Sequence, residues 1–256
     1  MVALSDVETP TPSTIPPFQT TFAVHLSCED CIKDVSSSLF KLSGIKSVNA
    51  DLQSQLVAVE GTAAPSAVVA AIQSTGRDAI LRGSGAPNSA AVCILETHST
   101  SVKDPVRGLV RIVQVAPTLS IFDVGIRGVS PGTYFATIRE SGDISAGPES
   151  TGKVWEAVQE AKGLRTPSRG ILGTLEVGKD GVGSVFLDKP VRVWELVGRS
   201  IVVSKQRGQF DQEDPDTLVG VIARSAGVWE NDKTVCSCTG KTVWEERKEQ
   251  VDRGML

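Results

Sequence analysis

Histidine is almost missing from the chain: 256 residues hold only two, His25 and His98, far apart in sequence. A multi-histidine metal site is therefore excluded, and each histidine reads as a surface or structural residue rather than a ligand. Long apolar runs are missing as well. None approaches the roughly 18 residues needed to cross a bilayer, so a transmembrane helix is excluded. Neither sign of charge dominates, since 26 Lys and Arg against 30 Asp and Glu leave a formal net charge of -4. That balance argues against a nucleic-acid or membrane-surface partner. Residues 1–17 lack a basic region followed by an apolar run. Their Thr, Pro and Ser content reads as a disordered arm rather than a signal peptide, and the expected compartment is the cytosol.

Cysteine is sparse but patterned. The five are Cys28, Cys31, Cys93, Cys236 and Cys238, an odd number in a chain long enough to bury an ordinary core, which does not suit a secreted disulfide framework. Four of them form two close pairs at opposite ends of the chain. In a reducing compartment such pairs point to metal binding or redox chemistry. Cys93 lies in the apolar run AlaAlaValCysIleLeu and is expected to be buried and inert.

Periodicity divides the chain. Phe18, Thr20, Phe22, Val24 and Leu26 alternate as in a half-buried strand. Ile32, Val35, Leu39, Phe40 and Leu42 follow at helical spacing, with Gly44 placed to end that helix. Two strands (Ile45–Asp51, Gln55–Gly61), a helix opened by Pro65 and running to Gly76, and a last strand at Ala79–Leu81 complete the order βαββαβ. A Gly, Ser and Pro-rich stretch at 84–89 reads as a linker. From 90 to 224 about eight short β segments occur between turn residues, enough for an antiparallel barrel or a sandwich, with long loops at 142–162 and 206–216. Residues 225–256 form a polar tail that holds Cys236 and Cys238. It ends in a charged stretch, Trp244–Arg253, that suits a short surface helix, and Trp229 and Trp244 are expected to pack rather than to dock a partner.

Cys28 and Cys31 sit in LeuSerCysGluAspCys at a strand-to-helix turn. Both sulfurs can converge on one ion there, and the helix N-terminus favours thiolate charge. Two soft ligands favour Cu(I), whereas structural zinc wants four and is not expected. A bare CxxC also serves as a redox dithiol, but the βαββαβ context favours the metal. Cys236 and Cys238, one residue apart in a polar segment, are expected to be reactive, as two sulfurs on one side of an extended chain or as a strained disulfide. Arg224, at the end of the last strand, is either solvated or bonded to the tail.

Together these residues resemble the fungal type of copper chaperone for superoxide dismutase. LeuSerCysGluAspCys is similar to the MxCxxC of heavy-metal-associated copper domains, with Leu26 in place of Met. Residues 140–152, GluSerGlyAspIleSerAlaGlyProGluSerThrGly, and 197–203, ValGlyArgSerIleValVal, look like copper-zinc superoxide dismutase. Residues 220–231 running into ValCysSerCysThrGlyLysThrValTrpGluGluArgLys (235–248) match the chaperone tail. The resemblance implies a ferredoxin-like domain at 18–83, a Greek-key barrel of dismutase type at 90–224 and an irregular tail. It places Thr137, Arg139, Val154 and Ser204 where the dismutase has copper ligands, and Pro148 and Val219 where it has its disulfide. The barrel thus keeps a shape without the chemistry, which suits a recognition surface.

The function implied is delivery of Cu(I) by Cys28 and Cys31 to an immature dismutase held as a heterodimer. The dimer face is expected near Gly142, Val197, Gly198, Ile222 and Arg224, and a homodimer of the free chain is also compatible. Cys236 and Cys238 would take part in copper handover and in thiol-disulfide exchange with the client, Cys236 forming the mixed disulfide. The mitochondrial intermembrane space is a second compatible compartment. The rivals are an active dismutase, against which the histidine count speaks, a dithiol oxidoreductase, and a passive copper-binding scaffold.

Overall fold

A computed structural model describes residues 15–155, 168–228, 230 and 240–252, the last helix at 243 and 250–252 by its backbone only. The chain opens with β1 (Phe18–Val24), α1 (Glu29–Leu39), β2 (Ile45–Asp51), β3 (Leu56–Gly61), α2 (Pro65–Gln73) and β4 (Ala79–Ser84). The four strands form one antiparallel sheet in the order β2-β3-β1-β4. Phe22, Val24, Leu26, Val35, Leu39, Val57, Val68 and Ile72 fill the core between the sheet and both helices. This βαββαβ arrangement is ferredoxin-like. The alternation expected of β1 is only partial: Phe18, Thr20, Phe22 and Val24 are buried as expected, but so are Thr21 and Ala23 between them. Nor does Gly44 end α1: the helix stops at Leu39, with Phe40 still in right-handed helical backbone. Gly44, at φ +87°, instead makes the turn into β2, where its carbonyl accepts from Thr62 N–H at 2.8 Å.

Eight further strands, β5 (Ala90–Glu96), β6 (Val106–Ala116), β7 (Leu119–Arg127), β8 (Gly132–Arg139), β9 (Ile171–Val177), β10 (Val182–Lys189), β11 (Ser200–Ser204) and β12 (Leu218–Ser225), close into an antiparallel barrel. A short helix, α3 (Val193–Leu196), precedes β11. The order around the barrel is β10-β7-β6-β5-β12-β11-β8-β9, so β7 and β8, adjacent in sequence, are not paired. Of the two architectures open to the sequence, closure decides for the barrel and leaves no free sheet edge. Leu95, Ile112, Phe122, Tyr134, Ile138 and Ile201 fill its interior. At Gly220 a Cβ would lie 1.8 Å from the Ile94 carbonyl oxygen, so β12 approaches β5 more closely than any side chain allows.

The stretch expected as a loose linker is threaded into both halves. β4 runs through Ser84, which is 4% exposed. Gly85 N–H donates to Gln19 O at 2.8 Å, and Gln114 N–H donates to Ser89 O at 2.7 Å. The start of the tail joins in: Ser84 N–H reaches Ala226 O at 3.3 Å and Val228 N–H reaches Gly85 O at 2.9 Å. Gly83 has to be glycine, since a Cβ would stand 2.1 Å from Gly227 O. Ile15, which falls in the expected disordered arm, packs with Phe18 against Val113 and Ile121 of the barrel; the arm's first fourteen residues lie outside the described ones.

A buried carboxylate makes the second joint. α2 begins after Ala64, which offers no side-chain cap. Asp123 of β7, 3% exposed, supplies one from the barrel: Ser66 N–H donates to Oδ2 at 2.8 Å and Ser66 Oγ to Oδ1 at 2.7 Å. A carboxylate at a helix N-terminus satisfies an orphan N–H and meets the positive end of the helix dipole. Arg111 stands 3.6 Å away as its counter-ion. Finally α4 (Val243–Asp252) forms within the charged stretch, but it is not a free surface helix, because Arg247 grips Asp78 and Trp244 lies on His25.

Candidate metal centre

The loop between β1 and α1 presents two sulfurs. Cys28 is the N-cap of α1 in extended backbone (φ -161°, ψ 172°), and Cys31 lies in the first turn, its N–H donating to Cys28 O at 3.1 Å. The two Sγ atoms are 3.6 Å apart, with Cys28 exposed and Cys31 8% exposed. Both thiols are free. Leu26, buried in the core, anchors the loop from below. Gln55, at φ +58°, clamps it from the side: its Oε1 accepts from Leu26 N–H at 2.8 Å, and its Nε2 donates to Leu26 O at 2.7 Å and Leu52 O at 2.6 Å. One amide side chain thereby does for Leu26 what a neighbouring strand would do.

Around Cys31 the hydrogen bonds favour thiolate. The Ser27 hydroxyl, 3.1 Å from Sγ, together with the Ser27 backbone, the Arg77 guanidinium and the Cys28 backbone, holds the Cys31 thiol down at about 6, against a small opposing effect of burial. Arg77 is itself steadied by Thr75 O at 3.1 Å and Asp34 Oδ2 at 3.3 Å. An open cleft of about 400 Å³, lined by His25, Leu26, Ser27, Cys31, Gln55, Thr75, Gly76 and Arg77, leads to the site. Among the described residues no group of three or more His, Cys, Asp or Glu is placed to hold a metal. The site offers a metal two thiolates, a donor set that suits a soft ion of low coordination number.

The sign of the pH dependence follows. Above about 6 Cys31 is a thiolate and needs no deprotonation to bind metal; lowering the pH through that value adds proton competition and weakens binding. Ser27→Ala removes the largest stabilising contact, so the midpoint of the Cys31 thiolate absorbance in the metal-free chain will move upward. An unmoved midpoint would show that Ser27 does not set it.

The remaining cysteines separate clearly. Cys93 is fully buried in β5, and burial pushes its thiol up to about 12, so it is inert. Cys236, Cys238 and Trp229 lie outside the described residues.

At Thr137, Arg139, Val154 and Ser204, which the resemblance sets against dismutase copper ligands, the side chains present are poor partners for a cation. Arg139, 7% exposed, donates through Nε to Thr151 Oγ1 at 3.1 Å and through Nη2 to Gly152 O, with its guanidinium over the Phe210 ring at 5.3 Å. Ser204 Oγ is 2.7 Å from Thr217 Oγ1. Thr137, Arg139 and Val154 line a cavity of about 300 Å³, and the Arg139 guanidinium puts a positive charge in its wall. Val219 is fully buried, and Pro148 is in a 3-10 turn, Gly147–Thr151.

The expected docking residues cluster, with one correction. A Cβ on Gly142 would lie 2.4 Å from Gly198 O and 3.3 Å from Val221 Cγ1, whereas one on Gly198, at φ +84°, would meet open space. Val197, half-buried, packs against the barrel core. Ile222 does not share the face: its side chain is 1% exposed inside the barrel, and only its backbone takes part, accepting from Gly198 N–H at 2.9 Å and donating to Arg199 O at 2.8 Å. Val221, 36% exposed, points outward instead, as the two-residue period of a strand requires. Arg224 is exposed, and its partner among the described residues is Asn88 Oδ1 at 3.3 Å; residues 231–239 of the tail, an expected partner, lie outside them.

Comparison with known proteins decides the family. Residues 21–78 match the heavy-metal-associated domain, and residues 106–227 match copper/zinc superoxide dismutase. The superoxide dismutase 1 copper chaperone of Debaryomyces hansenii is 46% identical over 249 residues, 93% of this chain and 98% of that protein. The protein of the same name from Saccharomyces cerevisiae is 44% identical over 245 residues, 91% and 96% of the two chains. The copper chaperone for superoxide dismutase of Arabidopsis thaliana, chloroplastic/cytosolic, is 38% identical over 233 residues, 90% and 71%. The chain belongs to the copper chaperones for superoxide dismutase. Membership in that family joins the CxxC loop and the barrel in one task, copper delivery to a superoxide dismutase. No helix among the described residues is long and apolar enough to cross a membrane. Motif reading singled out Cys28 and Cys31, which the structure brings to 3.6 Å, but not Ser27, Gln55 and Arg77, ordinary polar residues whose convergence is tertiary.

Proposed function

We propose that the chain takes up one Cu(I) on Cys28 and Cys31 and delivers it to an immature copper-zinc superoxide dismutase held against its barrel. The observation that carries this reading is the pair of free sulfurs 3.6 Å apart, one of them held as thiolate near neutral pH, on a loop braced by Gln55. Soft sulfur ligands at low coordination number favour Cu(I), and four-coordinate zinc would need ligands that this site does not offer. Gly142, Gly198, Val221 and Arg224 form the docking face, on which a client subunit makes a heterodimer and, without client, a second copy makes a homodimer. The chain works in the cytosol and in the mitochondrial intermembrane space.

Cys236 and Cys238 serve the client in two redox states. As dithiol they accept and pass on copper by thiolate exchange. As disulfide they oxidise the client: a client thiolate attacks Cys236, Cys238 leaves as thiolate, and a second client thiolate resolves the mixed disulfide. The client gains a disulfide, and the tail becomes a dithiol that an external oxidant such as dioxygen must reoxidise.

The test mixes the copper-loaded full chain with metal-poor, reduced dismutase and follows client activity, client disulfide and co-elution. Cys236→Ser and Cys238→Ser will each stop disulfide formation while co-elution persists, and Val221→Glu will weaken co-elution by placing a charge on an apolar face. Equal activation by a small Cu(I) complex at the same dose, with no co-elution, would refute the proposal.

A further inference from the structure

The outer face of β8 is covered where water is expected. Tyr134, Ala136 and Ile138 belong to the barrel core, so Phe135, Thr137 and Arg139 lie on the outside of the strand. Outward positions of a barrel strand are ordinarily solvated, yet Arg139 is buried. The loop after β11 folds over it: Phe210, itself buried, lies against the Arg139 guanidinium, and Arg207 stands over the Phe135 ring at 3.7 Å. Gln206 braces that loop, its Oε1 accepting from Asp211 N–H and its Nε2 donating to Asp214 Oδ2, both at 3.2 Å. The cavity of about 300 Å³ remains between this loop, β8 and β9, with Ile171 and Thr174 exposed on its β9 side. That volume is at the lower end of the range for ligand pockets.

Charge sets this cavity apart. Among the described residues that line it none is acidic, and Arg139 and Arg207 are both basic. Arg139 uses Nε and Nη2 on Thr151 Oγ1 and Gly152 O, two neutral acceptors, and its Nη1 has no acceptor among the described residues. Glu140 favours the charge without bonding to it, since its Oε2 accepts from Lys153 N–H at 3.3 Å. Arg207 has no hydrogen bond or ion pair to a described residue. The arginines that line the cavity between the two folds differ, because Arg111 and Arg247 each face a carboxylate, Asp123 and Asp78. A guanidinium taken out of water without a counter-ion is costly. An anion entering the cavity therefore gains a charge-assisted bond to a partner that is already desolvated.

We propose that this cavity is a binding site for a small organic carboxylate with an apolar body, its head on Arg139 and Arg207 and its body against Phe135, Val154, Ile171 and Phe210. The two halves of the ligand follow from the two kinds of wall. Inorganic phosphate would leave the apolar wall without a partner, and an uncharged apolar molecule would leave the guanidinia without one. A planar guanidinium fork also matches the two oxygens of a carboxylate. No residue of the CxxC loop or of the docking face takes part, so the site is independent of the function proposed above.

The experiment titrates the full chain by calorimetry with octanoate and with naphthoate, and with the neutral amides of the same two bodies. A carboxylate will bind at one site per chain with Kd on the order of 0.1 mM, as suits so few atoms, and its amide about tenfold more weakly. Binding of one body alone supports the site and identifies its ligand as aliphatic or aromatic. Arg207→Gln, at an exposed position, will weaken the carboxylate about tenfold and leave the amide unchanged. Thr174→Trp, also exposed, will abolish binding of both by filling the space. Arg139→Met will weaken the carboxylate at least as much as Arg207→Gln; circular dichroism reports whether the chain with this buried substitution still folds, and the two exposed variants decide the matter if it does not. Amides that bind as tightly as the carboxylates, no saturable binding at millimolar concentration, or binding unaltered in Arg207→Gln and Thr174→Trp would overturn the proposal.

Discussion

Replacing both Cys28 and Cys31 by serine, in a chain whose Cys236 and Cys238 are also serine, will take copper binding from one Cu(I) per chain to none. The parent with only the tail cysteines replaced keeps its ion. A serine hydroxyl is a hard ligand that stays protonated near neutral pH, so it replaces neither the softness nor the charge of a thiolate. Cys93 cannot substitute, because it is sealed in the barrel core with its thiol pushed up to about 12. The fold should tolerate the change, since Cys28 is exposed and the core around Cys31 rests mainly on Val35, Leu39 and Leu26. Competition with a chromophoric Cu(I) chelator gives the stoichiometry, and X-ray absorption gives the ligands. Retention of one sulfur-coordinated Cu(I) by the quadruple variant would move the site elsewhere.

Asp123→Ala will have the largest effect on stability. The carboxylate is 3% exposed and accepts two bonds from Ser66 while pairing with Arg111 at 3.6 Å. Its removal strips α2 of its cap, which alone costs about 1 kcal/mol. It also leaves Arg111 without its counter-ion at a position where burial already pulls the guanidinium's pKa down. Breaking a buried pair costs roughly 3–5 kcal/mol, and because the Arg111 side chain keeps 23% of its exposure the lower end applies. A loss of about 3 kcal/mol in urea unfolding is expected, with Asp123→Asn intermediate because its amide oxygen still accepts from Ser66. A loss below about 1 kcal/mol would mean that water replaces the carboxylate at little cost.

What could be read from the sequence was whatever repeats locally. The spacing of Val35 and Leu39, the alternation along Phe22 and Val24, and Pro65 at the start of α2 all express short-range geometry, and the order βαββαβ follows from them. The pair Cys28 and Cys31 was legible for the same reason, since three residues across a helix start bring two side chains together. Closure of the second sheet was not legible, because barrel and sandwich strands share one pattern and differ in which strands meet. Ile222 and Val221 show how a strand position misleads by one residue: a slip of one exchanges inside for outside. The packing of α4 was hidden by composition. A helix rich in Glu, Lys and Arg reads as solvated, and the partner of Arg247 lies 169 residues away.

The joint at Ser84, Gly85, Ala226 and Val228 bears on how the tail can be studied. Because these backbone bonds tie the end of the first sheet to the residues just after β12, a chain cut at Arg224 loses more than two thiols. It also loses the strap that closes over Gly83, and the first fold is then held to the barrel by fewer contacts, among them those of Ser66 with Asp123 and of Ile15 and Phe18 with Val113 and Ile121. Deletion would therefore combine a chemical defect with an architectural one and overstate what the cysteines contribute. Point substitution at Cys236 and Cys238 keeps the two separable.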